Sequence, residues 1–282
     1  AKRQPKNNHK IGTSIMAQTQ KDIKKTTPQD SLQPKPLTKP VSKTPAKAKL
    51  HFKISNAHCL IGFFIDPLDK KQAGQTANLV NQQACWALQP HIEAMQGVLE
   101  VVPGMNALTV YTHSLSLLEL QQLQKKLNAL DLSEFLGGDE CKDTKDIIKI
   151  PVIYGGEAGP DLADSAKCLG MTPAELVEAH TKPIYTVYFM GFQPGFPYLG
   201  GLPEHLHLPR HANPRTKVPA GSVGIGGQQT GVYPFASPGG WQLLGRTDDK
   251  LFDIHATPPT RLQAGDRLQF VATQIIDEGR VN

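Results

Sequence analysis

Hydrophobic positions along the chain change their period several times, and the changes predict the elements. AHCLIGFFID, residues 57–66, is an apolar run closed by Asp66-Pro67, which reads as a strand. In residues 75–88, Leu79, Val80, Ala84, Trp86, Ala87 and Leu88 recur at helical spacing. Pro90 breaks or kinks that helix, with the chain continuing helical through His91–Met95. VLEVVPG and NALTVYTH read as two strands joined by the Pro103-Gly104 turn. The next helix opens with Ser116 and Glu119 in capping-box spacing and buries Leu118, Leu123, Leu127 and Leu130. A polar connection containing GGDECKDTKD leads to strand 146–154, DIIKIPVIY. The order β-α-β-β-α-β predicts an α+β fold whose N-terminal domain is a ferredoxin-like sandwich. We place that domain at residues 51–145 and a second domain at residues 146–282.

Two short helical patterns open the second domain. Asp161–Leu169 ends at Gly170, and the next begins with Thr172-Pro173-Ala174-Glu175, an N-cap, an early proline and the capping-box glutamate. Beyond them, YTVYFMGF, VPAGSVGIGG, TGVYPFA, WQLLGRT, KLFDIHA and DRLQFVAT are short strands separated by Gly and Pro. Such a series without intervening helices predicts a β-barrel or sandwich. Gly265-Asp266 supplies a hairpin-type turn before the last strand.

Charge separates the first fifty residues from the rest. They hold eleven Lys and one Arg against two Asp, a net +10, so a chain of net +5 carries −5 elsewhere. With six prolines and no aromatic ring, residues 1–50 are expected to be a disordered, basic, Pro/Lys-rich tail. A basic arm of this kind suits an anionic surface, but a solvated tail is the simpler reading, and neither nucleic acid nor membrane is expected as a partner. No apolar run near the N-terminus has the length of a signal peptide, and no window approaches ~18 apolar residues. Cys59, Cys85, Cys141 and Cys168 form no C-x-x-C pair, which suits reduced thiols in the cytoplasm. His205, His207 and His211 lack a supporting carboxylate or cysteine, so they read as a solvated loop and no metal site is expected.

One stretch resists this simple scheme. GFQPGFPYLGGLP, residues 191–203, sets Phe192, Phe196 and Tyr198 among four glycines and three prolines. Pro194, Pro197 and Pro203 exclude a helix, and the glycines at 191, 195, 200 and 201 permit unusual backbone or close approach. The expectation is a stiff surface loop, its rings walling a cleft, meeting a partner or plugging the barrel. Generic catalytic motifs are missing. There is no P-loop, and Gly224-Ile225-Gly226-Gly227 lacks a strand-to-helix context. Ala220 stands where a nucleophile elbow around Ser222 needs glycine. What remains is a set of cations, Arg210, Arg215, Lys217 and Arg246, beside glycine-rich turns, suited to a carboxylate or phosphate.

The run from YFMGFQPGFPYLGGLP through SVGIGGQQTGVYPFASPGGWQLLGRT resembles a family that includes three kinds of protein. They are the B subunit of bacterial ATP-dependent 5-oxoprolinase, allophanate hydrolase subunit 1, and the sensor-kinase inhibitor KipI. DLADSAKCLGMTPAELVEAHT matches as well, so the resemblance spans about residues 51–275. It implies a small α+β domain followed by a cyclophilin-like β-barrel. Of the functions it implies, ATP-dependent cleavage of 5-oxo-L-proline to L-glutamate comes first; allophanate amide hydrolysis and inhibition of a sensor histidine kinase are the alternatives. The resemblance further implies ATP with Mg2+ in an assembled complex, and two partners. These are a sister chain of the 5-oxoprolinase C or allophanate hydrolase subunit 2 type, and a LamB/YcsF-like protein. For such chemistry the expected catalytic residues are His180, to orient substrate or move a proton, with Arg215 and Arg246 as anion contacts. Each has a structural alternative: a barrel-capping arginine, or a histidine against a helix dipole. The expected substrate-binding set is Phe192, Pro194, Gly195, Phe196, Ser222, Gln229, Gly240 and Trp241, with GFQPGFPYL and SPGGWQLLGRT facing each other across one site.

Overall fold

Leu50, Phe52 and Ile54 alternate with His51, Lys53 and Ser55, and that period of two makes the first strand. In this computed structural model, which describes residues 49–65, 78–132, 135 and 146–276, β1 (Lys49–Asn56) forms a hairpin with β2 (Cys59–Ile65). Most of the expected tail, residues 1–48, lies outside the described residues, as do Asp66-Pro67, residues 75–77 and Cys141. Its last two positions, Lys49 and Leu50, belong to β1. Helix α1 (Leu79–Glu93), strands β3 (Val98–Gly104) and β4 (Ala107–Thr112) and helix α2 (Leu117–Asn128) follow. The sheet runs β1-β2-β4-β3, antiparallel throughout. Leu88 and Ile92 of α1, with Leu120, Leu123 and Leu127 of α2, bury against Phe52, Leu60, Val101, Leu108 and Val110.

The half is therefore ββαββα, and the ferredoxin-like βαββαβ reading is corrected. The strand expected to close that sheet, β5 (Ile148–Gly155), lies parallel to β13 (Arg267–Ile276) in the barrel instead. Its inward row Ile150, Val152 and Tyr154 is fully buried in the barrel core. Pro90 sits inside α1, which runs on to Glu93. The capping box forms as expected, with the Ser116 Oγ accepting from Glu119 N and Glu119 Oε2 accepting from Ser116 N. The stripe of α2 is Leu120, Leu123 and Leu127, beginning two residues after the expected Leu118, which is 64% exposed.

After β5 come helices α3 (Leu162–Cys168) and α4 (Pro173–Thr181), the second opened by the Thr172/Glu175 capping box. The remaining strands are β6 (Tyr185–Met190), β7 (Pro197–Gly200), β8 (Arg215–Val218), β9 (Ser222–Gly226), β10 (Gln229–Val232), β11 (Ser237–Gly239) and β12 (Gln242–Arg246). Seven strands close a barrel in the order β10-β7-β6-β13-β5-β12-β9, and β8 and β11 make a separate two-stranded ribbon. Two details differ from the sequence pattern. KLFDIHA forms only an isolated bridge, Phe252 to Thr260, and four residues of the expected surface loop, Pro197–Gly200, are barrel strand β7. Gly265 does turn the chain, at φ 84°, but no strand precedes it, so the turn is not a hairpin.

The two halves share a polar contact at one carbonyl, beside the edge-on pair of Trp86 and Tyr188. Trp86 Nε1 and Gln82 Nε2 of α1 both donate to Tyr188 O on β6, at 2.9 and 3.2 Å. Gln82 is fully buried, and its Oε1 accepts from Asn106 N at 2.9 Å, so burial leaves neither end of the amide unsatisfied. Among the described residues no helix is long and apolar enough to cross a membrane.

Candidate functional site

Between β6 and β7 the chain turns within six residues. Gly191 N donates to Phe196 O and Phe196 N to Gln193 O, at 3.2 and 3.0 Å. Gly195 takes φ 81°, and a Cβ there would sit 2.8 Å from Phe252 Cβ, so only glycine fits. Phe192 adopts φ 65° without being glycine and is 59% exposed, a costly backbone for a ring left at the surface. It stands edge-on to Phe196, 5.4 Å between centroids, and to Tyr233, 6.2 Å.

These rings wall a cavity of about 200 Å³. Phe192, Phe196, Tyr198, Tyr233 and Trp241 supply its aromatic sides, and Gly239-Gly240 its opposite edge. Trp241 reaches this place because β9 carries Gly226, where a Cβ would lie 2.4 Å from the indole ring. Phe196 is 1% exposed and meets Trp241 and Tyr233 edge-on at 5.6 and 5.3 Å. Arg210 places its guanidinium 5.9 Å from the Trp241 ring centroid. Burial raises the Tyr198 and Tyr233 hydroxyls above the ordinary tyrosine range, while the Arg210 charge pulls both down. The cavity is thus an aromatic-walled slot of mixed polarity, with a cation, an imidazole and two phenols around it.

A second, polar layer stands beside it. Asp161, just before α3, is 7% exposed and accepts three hydrogen bonds. Leu243 N donates to Oδ2 at 2.7 Å and Arg215 Nη2 to Oδ1 at 2.5 Å. His211 Nε2 lies 3.2 Å from Oδ2, and since a carboxylate paired with arginine can only accept, that nitrogen carries the proton. His211, which lines the cavity, is held by its backbone as well, N donating to Gly240 O at 2.7 Å. Among the described residues Arg215 Nη1 is buried without a partner.

The expected site residues divide. Phe192, Phe196, Gly240 and Trp241 gather round the cavity, and GFQPGFPYL does face SPGGWQLL across it. Arg215 stands behind the wall on Asp161. Pro194 is exposed on the turn, and Gly195 only shapes it. Ser222 is 2% exposed and registers with Arg246, at the end of β9–β12 opposite the Gln242–Ile225 pair. Arg246 is exposed at that end and is not brought to the cavity. Gln229, at the start of β10, leaves Nε2 buried without a partner among the described residues and does not line the cavity.

His180 is corrected outright as a group meeting substrate. It is sealed in the barrel core, 0% exposed and stacked on Phe270 at 4.8 Å. The Thr230 hydroxyl donates to Gly224 O, so it accepts from His180 Nε2–H at 2.9 Å, leaving Nδ1 to accept from Tyr154 OH at 2.8 Å. Desolvation lowers its pKa to about 3. A neutral, fully satisfied imidazole has no free lone pair, and no charge for a helix dipole.

The family described as carboxyltransferase domain, subdomain C and D, matches residues 70–262. The chain belongs to that family. It is 51% identical over 201 residues to the B subunit of the Haemophilus influenzae 5-oxoprolinase, covering 71% of this chain and 91% of that one. It is 48% identical over 193 residues to the protein of the same name from Escherichia coli O157:H7, covering 68% and 86%. Among solved structures, TTHA0988 shares 34% identity with a TM-score of 0.58; the match covers 73% of this chain and spans 40% of that one. Within this carboxyltransferase-type fold, sequence reading missed Asp161, His211 and Tyr233 as members of the site. Asp161 looks like an ordinary N-cap and His211 like one of three loop histidines. Leu243 N of β12 holds Asp161, and Gly240 O, just before that strand, holds His211.

Proposed function

We propose that this chain is the B subunit of a 5-oxoprolinase and that its aromatic cavity holds the lactam ring. The observation that carries this is the 51% identity to the B subunit of a 5-oxoprolinase over 91% of that protein's length. The cavity supports it chemically. Its volume of about 200 Å³ lies below the ~300–1,000 Å³ of drug-sized sites, so it suits a five-membered ring acid. Aromatic faces contact the ring, and Arg210 neutralises the carboxylate by a charge-assisted hydrogen bond.

ATP does not fit this slot, and among the described residues no three His, Cys, Asp or Glu side chains gather to hold a metal. We place the nucleotide and its Mg2+ on the partner subunits, a sister chain of the same family and a LamB/YcsF-like protein, in the cytoplasm. No step on this chain is routed through them. Its own task is to bind the ring, align the amide and exclude water from the aromatic side.

The test reconstitutes the chain with both partners and follows glutamate formation and ATP hydrolysis that depend on 5-oxoproline. Glutamate is expected only with all components present. Arg210→Ala is expected to raise KM by about 10- to 100-fold, the loss of one charged hydrogen bond. A demonstrably assembled complex that leaves 5-oxoproline intact would refute the proposal.

A further inference from the structure

The geometry points to His211 as the proton-transferring catalytic residue of the cavity, with Asp161 as its positioning residue. This rests on the cavity being the lactam site. Three observations support it. His211 lines the cavity, unlike the buried His180. Its Nε2–H is committed to Asp161 Oδ2 at 3.2 Å, which fixes the neutral tautomer with the lone pair on Nδ1. Among the described residues Nδ1 makes no hydrogen bond, so that lone pair is available. A carboxylate behind an imidazole that carries a free nitrogen is the arrangement general bases use, and it stabilises the imidazolium that forms.

The charges that face the pair come from separate elements. Arg215 of β8 occupies the other Asp161 oxygen at 2.5 Å. Arg210 precedes His211 and lies over Trp241, and the hydroxyls of Tyr198 and Tyr233 stand around the same cavity. Arg215 takes Asp161 Oδ1, which leaves Oδ2 to accept from His211.

The step balances as follows. The oxygen of a water bonds to the ring carbonyl carbon while one of its protons passes to His211 Nδ1. That proton returns to the ring nitrogen as the carbon–nitrogen bond breaks, leaving the amine and new carboxyl of an open-chain amino acid.

The experiment uses the reconstituted complex and four variants, with calorimetric 5-oxoproline binding as an independent readout. His211→Gln should lower kcat by about 10² to 10⁴-fold, keep 5-oxoproline binding within about threefold, and abolish the acidic limb of the pH–rate profile. His211→Ala should recover part of its rate with added imidazole. Asp161→Asn should lower kcat and shift that limb, with Asp161→Glu recovering part of the loss. A His211→Gln complex with kcat within about threefold of wild type overturns the proposal. So does a loss of binding that matches the loss of rate, since that marks a wall residue. If the wild-type complex binds or turns over no 5-oxoproline, the assignment of the cavity fails first and this proposal falls with it.

Discussion

Acid should unfold this protein partly through one residue that meets no solvent. His180 is buried between Tyr154, Thr230 and Phe270, and its pKa falls from 6.5 to about 3 in the folded chain. The unfolded chain therefore binds a proton near pH 6.5 that the folded chain refuses. The stabilisation is complete above about 6.5 and is lost as pH falls towards about 3. One proton of difference amounts to about 1.4 kcal/mol per pH unit, so the whole window amounts to about 5 kcal/mol. That is comparable to the total stability of many domains, about 5–15 kcal/mol. The assay is urea denaturation of wild type and His180→Gln from about pH 7.5 to about pH 4.5. The variant should start lower by about 1–3 kcal/mol, because the amide cannot serve both Tyr154 and Thr230 as the ring does. It should then fall less steeply with acid, so that the two curves converge. Parallel curves would refute the reasoning, as would an NMR titration showing the His180 ring protonating near its ordinary value in the folded protein.

Two further outcomes concern the scaffold. Gly221→Ala should cost more than about 1–3 kcal/mol and lower Tm sharply, since Gly221 has φ 79° and a Cβ would lie 2.0 Å from Thr247 O. Leu123→Ala should cost about 2–5 kcal/mol and Leu118→Ala less than about 0.5 in denaturation midpoints, because Leu123 is 5% exposed and Leu118 64%. Equal effects from that pair would mean that the stripe of α2 has been placed on the wrong face.

Local chemistry was legible in this sequence. Both capping boxes, Ser116/Glu119 and Thr172/Glu175, form as their spacing demands, because a cap needs only neighbours three residues away. The ring-bearing turn at Phe192–Phe196 and the glycine edge before Trp241 were likewise visible as compositional oddities, and they do meet. The alternation of Leu50, Phe52 and Ile54 was equally local, but it stands against the basic tail and was hidden by it. Tertiary structure decided the rest. An alternating strand such as β5 does not state its partner, and pairing with β13 more than a hundred residues away took it out of the first sheet and into the barrel. The two histidines show the same limit at the site. Helix spacing puts His180 at the end of α4 and a Pro-rich loop holds His211, and nothing local says which one meets solvent. Barrel closure sealed His180 among Tyr154, Thr230 and Phe270, and Asp161, 50 residues before His211, oriented the other beside the cavity. Burial and hydrogen-bond partnership depend on contacts across the whole fold, and those exist only once the strands have closed.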